Sequence, residues 1–198
     1  MKRIFAAVKI IARKPLSDLI QNMKKEMAFH RINWVQPENI HITLKFFGET
    51  HENEIPGISK LLSEAASTLS PFTLQLFDTG IFGSHYNPKV IWVGINQAEP
   101  LIELANNIKE GLKTVGILPD RQNFVPHLTL GRIKMISDKK LFHKTMDKYR
   151  NVKLYDCTID KLILYESILK REGPEYHALE TYSFPVCDTT PPDALKIS

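Results

Sequence analysis

Cysteine is nearly absent from the 198 residues: Cys157 and Cys187 form no C-x-x-C pair and no disulfide framework. Both read as ordinary, partly buried thiols, and so low a count suits a reducing compartment. Long apolar runs are missing as well, with none near the roughly 20 residues that span a bilayer. The opening Met1-Lys2-Arg3 leads into the apolar stretch Ile4 to Ile11, but Lys9 interrupts it and no small-residue cleavage site precedes Arg13-Lys14. A first strand is therefore expected rather than a signal peptide, in a cytoplasmic protein without a membrane partner. The sequence also lacks H-x-H, H-E-x-x-H and the GxxxxGK[ST] phosphate loop, so no metal site and no cofactor are expected. Acidic residues are in slight deficit, 22 against 26 Lys and Arg, and the net charge of +4 favours anionic partners: phosphate or RNA is permitted, not demanded.

What the chain does carry is one short pattern twice, His41-Ile42-Thr43-Leu44 and His127-Leu128-Thr129-Leu130, with Pro37 and Pro126 upstream. Alternation at period two makes each a strand. Ile42, Leu44 and Phe46, and in the second copy Leu128 and Leu130, are expected to face a core. The His and Thr side chains face the other way.

Around these strands the pattern alternates strands and helices. Residues 2 to 11 predict a strand, and Pro15 opens a helix whose buried stripe is Leu16, Leu19, Ile20, Met23 and Met27. Arg31 to Val35 is a short strand, Gln36 to Asn39 a turn, and Ile40 to Phe47 the first His strand, closed by Gly48. A helix follows from about Asn53 to Leu69, stopped at Ser70-Pro71. Phe72 to Phe77 is a strand, and residues 78 to 89, rich in turn formers, are expected to be a surface loop. Lys89 to Ile95 is a strand, and the stripe Leu101, Leu104, Ala105, Ile108 and Leu112 marks a helix ending near Gly116. The second His strand spans Phe124 to Ile133, and Ser137 or Asp138 caps a lysine-rich helix. Val152 to Leu169 holds one or two strands, Lys170 to Pro174 a turn, and Tyr176 to Phe184 the last strand. Asp188 to Ser198 is expected to be a loosely held tail.

The two histidines lie 86 positions apart (127 − 41), and shifting the first half by that amount lays strand on strand and helix on helix. The expectation is a single domain over 1–187 in which approximately 3–79 and 89–165 repeat. Two similar lobes, each a small sheet backed by helices, would be related by a pseudo-two-fold axis that brings the His strands together.

Two imidazoles facing one substrate divide labour: the neutral ring takes a proton from water and the protonated ring gives one to a leaving oxygen. Threonine hydroxyls donate to phosphate oxygens as charge builds there. That set suits phosphodiester cleavage without a metal, since neither tetrapeptide holds an Asp or Glu to neutralise a cation.

With Pro37-Glu38-Asn39-Ile40 and Phe46-Phe47-Gly48-Glu49 around the first copy and Pro126 and Gly131-Arg132 around the second, the pair resembles the signatures of the two-histidine (2H) phosphoesterase superfamily. Within it the chain is similar to the LigT-like RNA 2′,3′-cyclic phosphodiesterases, also called bacterial and archaeal 2′-5′ RNA ligases, from Arg3 to about Phe184. The resemblance implies a bilobal α+β fold, two antiparallel sheets facing a central groove with helices packed outside. It also implies hydrolysis of an RNA-terminal 2′,3′-cyclic phosphate to a 2′-phosphate, with His41 as proton donor and His127 as acceptor. Some members join tRNA halves by the reverse reaction.

Arg132 matches an arginine of the family and is expected to contact phosphate. Strict alternation would put it beside Leu128 and Leu130, so either the strand twists or bulges after Gly131, or Arg132 is a structural cation. Val125 and Gly131 depart from the family pattern, which often has arginine and alanine there. Phe47, Tyr86 and Tyr165 are candidates to stack on a base. The basic run from Lys139 to Lys153 either guides RNA or is a solvated face. His30, His51, His85, His143 and His177 receive no role. A monomer is expected. The alternatives are an enzyme for 2′-5′ oligonucleotides or small cyclic nucleotides, and an RNA- or nucleotide-binding module without catalysis.

Overall fold

Alternating apolar residues on nine strands and apolar stripes on four α-helices give the computed structural model, which describes residues 1–118, 123–171 and 173–186, its α+β architecture. The elements are β1 (Lys2–Lys9), α1 (Lys14–Glu26), β2 (Arg31–Trp34), β3 (His41–Thr50), α2 (Ile55–Ser67), β4 (Phe72–Ser84), β5 (Asn87–Asn96), α3 (Glu99–Gly111), β6 (His127–Met135), α4 (Lys139–Lys148), β7 (Lys153–Ile159), β8 (Lys161–Lys170) and β9 (Gly173–Ser183). The strands form two antiparallel sheets, ordered β3-β1-β8-β9 and β2-β6-β5-β4-β7. Each sheet draws strands from both halves of the chain. No helix among the described residues is long and apolar enough to cross a membrane.

The helices cover one face of each sheet. Pro15 starts α1, Leu16, Leu19, Ile20 and Met23 bury its inner face, and Lys24 and Lys25 sit at its C-terminal end, where the helix dipole favours cations. Asp138 caps α4 by accepting the Leu141 N–H at 3.0 Å. On β1, Ile4, Ala6 and Val8 join the main core, while Phe5 and Ala7 face the opposite side in a small cluster with Ile163 and Tyr165. That second face looks into a groove between the sheets.

Several expectations change. Residues 78 to 84 continue β4, and only His85 and Tyr86 separate it from β5 in a tight hairpin. The turn formers there serve the strand. Asp78, at φ 66°, is a bulge whose carboxylate accepts the N–H groups of Thr79 at 2.7 Å and Asn151 at 2.8 Å. Gly80 leaves room for the Trp92 ring, which a Cβ there would meet at 2.2 Å. Val152 to Leu169 resolves into two strands parted at Asp160. The first His strand, β3, bulges twice against β1, where its register skips Leu44 and Phe47. Parity inverts beyond Thr43: Phe46 faces the groove and stands 46% exposed, whereas Phe47 packs on the core. The helix expected to end near Gly116 finishes as α3 at Gly111 and continues as a 3-10 turn over Leu112–Val115. Cys157 is buried, as expected; Cys187 and the tail from Asp188 lie outside the described residues.

Candidate active site

Both histidines open their strands, and both are held by the same local device. A chain that turns at a proline and then extends leaves a carbonyl two residues back pointing at the ring. The His41 Nδ1–H donates to the Asn39 carbonyl at 2.7 Å, and the His127 Nδ1–H donates to the Val125 carbonyl at 2.7 Å. A carbonyl only accepts, so Nδ1 carries the proton in the neutral ring and Nε2 is left with its lone pair. The Thr43 hydroxyl donates to His41 Nε2 at 2.9 Å. Asn39 is fixed in turn: its side-chain amide donates to the Pro174 carbonyl at 2.8 Å, tying the entrance of β3 to the β8–β9 hairpin.

These groups line a groove of about 1290 Å³ between the sheets, which His41, Thr43, His127, Thr129 and Arg132 all reach. Aromatic rings set the imidazoles. His41 packs 5.0 Å from Phe5 and 5.2 Å from Tyr176, nearly edge-on to the latter. His127 stands edge-on to Phe82 at 4.7 Å. Burial pushes the His41 pKa down to about 4, the charges of Arg132 and His127 push the same way, and the Asn39 carbonyl resists. His127 is lowered for the same first reason, with Arg132 adding to it and the Val125 carbonyl opposing. Both shifts favour the neutral ring. An anion placed beside Arg132 would raise them, because a close negative charge favours the protonated ring.

Arg132 reaches the groove through a bulge. β6 pairs Gly131 with Ile91 and Thr129 with Trp92, so Leu130 is the extra residue, and beyond it Arg132 turns to the same side as His127 and Thr129. Of the two alternatives for this cation, the bulge holds, one residue before Gly131 rather than after it. The aromatic candidates do not gather here. Phe47 packs on the core, because the β3 bulges invert its facing. Tyr86 sits at the tip of the β4–β5 hairpin, 78% exposed and away from the residues that line the groove. Tyr165 is buried beneath the groove, where it stacks on Phe5 at 5.2 Å and so supports His41 from behind. In the basic run, Lys148 pairs with Glu26 and Arg150 with Asp147, and none of its lysines lines the groove.

Residues that the pattern did not single out complete the lining: Arg3, Phe5, Phe82 and Tyr176 on the walls, Lys170 and Arg171 at the mouth. For Arg3 and Phe5 the signal was present, since they alternate with Ile4 and Ala6 on β1. Tyr176 comes from the far edge of a sheet whose strand order no local pattern encodes.

Two antiparallel sheets around a groove that presents two backbone-anchored His-x-Thr strands define a phosphoesterase-like class of fold and site. The 2′-5′ RNA ligase superfamily model matches residues 13–170, and the chain belongs to that superfamily. It is 32% identical over 185 residues to the RNA 2′,3′-cyclic phosphodiesterase of Aquifex aeolicus, covering 92% of this chain and 98% of that one. With the RNA 2′,3′-cyclic phosphodiesterase of Archaeoglobus fulgidus it shares 32% over 181 residues, 91% and 99% of the two chains. Among solved structures, TT0787 of Thermus thermophilus matches at a TM-score of 0.74 and 27% identity, over 92% of this chain and 97% of that one. E. coli LigT complexed with 3′-AMP matches at a TM-score of 0.71 and 23% identity, over 92% and 98%, which is a likeness of fold.

Proposed function

We propose that the groove hydrolyses a 2′,3′-cyclic phosphodiester at an RNA end, leaving a 2′-phosphate. The supporting observation is the matched pair of imidazoles, each with Nδ1 on a backbone carbonyl and each lining one groove; the names of the relatives agree with it. In the reaction a water oxygen attacks phosphorus while the bond from phosphorus to O3′ breaks. His127 Nε2 takes the proton from the water. His41, protonated once the anionic phosphate is in place, gives a proton to O3′. Thr43, Thr129 and Arg132 donate to the non-bridging oxygens, where negative charge grows. No step uses a metal. With a 5′-hydroxyl attacking phosphorus in place of water, the same transfers break the bond to O3′ and form a 2′-5′ linkage, as between tRNA halves. The protein acts as a cytoplasmic monomer.

Phosphorus NMR tests this on a 2′,3′-cyclic nucleotide and on an oligoribonucleotide with the same end, both in EDTA. A 2′-phosphate product is expected, and the H41A and H127A variants should each be slowed by roughly 10²- to 10⁴-fold. A 3′-phosphate product, or full turnover by either variant, would overturn the mechanism. Tight binding without conversion would instead favour a binding module.

A further inference from the structure

Arg3, Ser167 and Tyr176 share one level of the groove wall. Tyr176 lies opposite Ser167 across β8 and β9, and Ile4 lies opposite Glu166 across β1 and β8, which sets Arg3, one residue earlier, level with Ser167. Period two turns all three side chains to the groove, whose lining they join. Their neighbours Lys2 and Glu166 face the other way and pair with each other at 2.9 Å. Arg3 itself makes no ion pair among the described residues: Glu49, opposite it on β3, forms none with it, and Glu175 is held by Lys170 and His177. The Arg3 guanidinium lies over the Phe46 ring, 4.8 Å from the centroid, a stacking that fixes its plane and leaves the N–H groups at its edge free to donate. Ser167 is only 9% exposed, yet neither its hydroxyl nor that of Tyr176 bonds another described residue. Buried hydroxyls are ordinarily bonded, so two free donors beside an unpaired cation describe a place for an anion brought from outside.

We propose that Arg3, Ser167 and Tyr176 form a second phosphate subsite, which takes the phosphodiester on the 5′ side of the terminal nucleotide. The proposal rests on the reading above that the groove takes RNA ends. Tyr176 joins the subsite to the reacting centre, since its ring stands 5.2 Å from that of His41. Burial raises the pKa of its phenol, while Arg132 and Arg3 both lower it, so the hydroxyl feels the two cations together. A substrate with phosphates on both sides of one ribose sets the cyclic phosphate beside Arg132 and the diester beside Arg3. A cyclic nucleotide with a free 5′-hydroxyl has nothing to place there. Guanidinium and hydroxyl donors contact phosphate and carry no base readout, so the subsite separates an RNA end from a small cyclic nucleotide without sequence preference.

The test measures initial rates for wild type, R3Q, R3K, S167A and Y176F on three nucleoside 2′,3′-cyclic phosphates that differ only at O5′. One has a free hydroxyl, one a methyl phosphate diester, which carries the charge of an internucleotide linkage without a second base, and one the neutral methyl methylphosphonate. For wild type, the methyl phosphate should lower KM roughly ten- to hundredfold against the hydroxyl, and the neutral group should recover little of that. Each protein is compared with itself, so a general loss of activity cancels from the ratio. R3Q should bring the ratio close to one, R3K should keep the larger part of it, and S167A and Y176F should each reduce it by about two- to tenfold. Added salt should shrink the wild-type ratio and leave that of R3Q unchanged. A wild-type ratio near one, a neutral group as good as the diester, or an unaltered ratio in R3Q would overturn the subsite and leave the hydrolysis standing. If wild type turns over none of the three, calorimetric affinity for the nucleoside 2′-phosphate with and without the 5′-methyl phosphate reads the same ratio. An advantage that R3Q loses there keeps the subsite though the reaction fails, and equal affinities remove both.

Discussion

His41 and His127 illustrate how little a single side chain decides without its anchor. The carbonyl two residues upstream fixes which nitrogen holds the proton, and the groove then receives two rings of the same tautomer. Neutral rings in an apolar setting are also a matter of stability. The folded pKa of His41, about 4, lies below the ordinary 6.5, so the unfolded chain takes up the proton first as pH falls. The contribution is complete above pH 6.5 and is lost between 6.5 and about 4, an overall effect of about 3 kcal/mol. Urea unfolding of wild type and of H41Q at about pH 7 and about pH 4.5 measures it. The wild type should lose more stability across that interval than the variant, by up to that amount. Parallel losses would mean that His41 titrates normally in the fold. Bound nucleotide 2′-phosphate should move the His41 ring resonances to a higher titration point, since the phosphate offsets Arg132.

At the scale of elements, three bulges do most to shape the groove. The extra residues Leu44 on β3 and Leu130 on β6 reverse the facing of the residues after them, and so bring Phe46 and Arg132 into the groove, while Phe47, the second extra residue of β3, restores the original facing beyond it. Gly131 lies immediately after the β6 bulge, against the edge strand β2. A Cβ there would stand 2.8 Å from Ile32 Cγ2 and 3.2 Å from Trp34 Cε3, both tighter than side chains tolerate without moving. Gly131→Ala should therefore destabilise the protein. Crowding costs about 1 to 3 kcal/mol, against a gain of about 0.4 to 1 kcal/mol from the stiffer unfolded chain. The urea midpoint should fall at constant slope, and a midpoint that rises would show that Ile32 and Trp34 yield freely. The legibility of the chain follows the same division. Helices α1 and α3, with their 3.6-residue stripes, and strands β1 and β3, with period two, could be read because a local rhythm encodes them. His41, Thr43, His127 and Thr129 could be read as groove residues for that reason too. Phe46, Phe47 and the stretch from Asp78 to Ser84 could not, because a bulge costs one residue of register and leaves composition unchanged. Tyr176 was invisible because its place depends on β9 docking beside β8.

Across the whole molecule, the two His strands belong to different sheets, and neither sheet is the product of one half of the chain. β1 and β3 are completed by β8 and β9, while β5 and β6 are completed by β4 and β7. We propose that 3–79 and 89–165 are a duplicated unit whose third strands have changed places, since the first three positions of the orders β3-β1-β8-β9 and β6-β5-β4-β7 correspond under the shift that relates the histidines. The consequence is mutual dependence. Residues 1–86 alone would present β1 with one edge unpaired and β4 with no partner on either side, and both edges would carry open backbone donors and acceptors. Residues 87–198 alone would leave β5 unpaired on the side that β4 fills and β8 unpaired on the side that β1 fills. Expressed separately, the two fragments should show collapsed amide dispersion in proton–nitrogen NMR. Mixed during refolding, they should recover the dispersed spectrum, with the cut falling at the exposed His85–Tyr86 hairpin. A first fragment that folds by itself would show that β1 and β3 have a self-sufficient lobe, and that the exchange of β4 and β8 is an ornament on two independent halves. A joint requirement would mean that the groove cannot form in either half before the other has supplied its strand, which keeps His41 and His127 from meeting substrate singly.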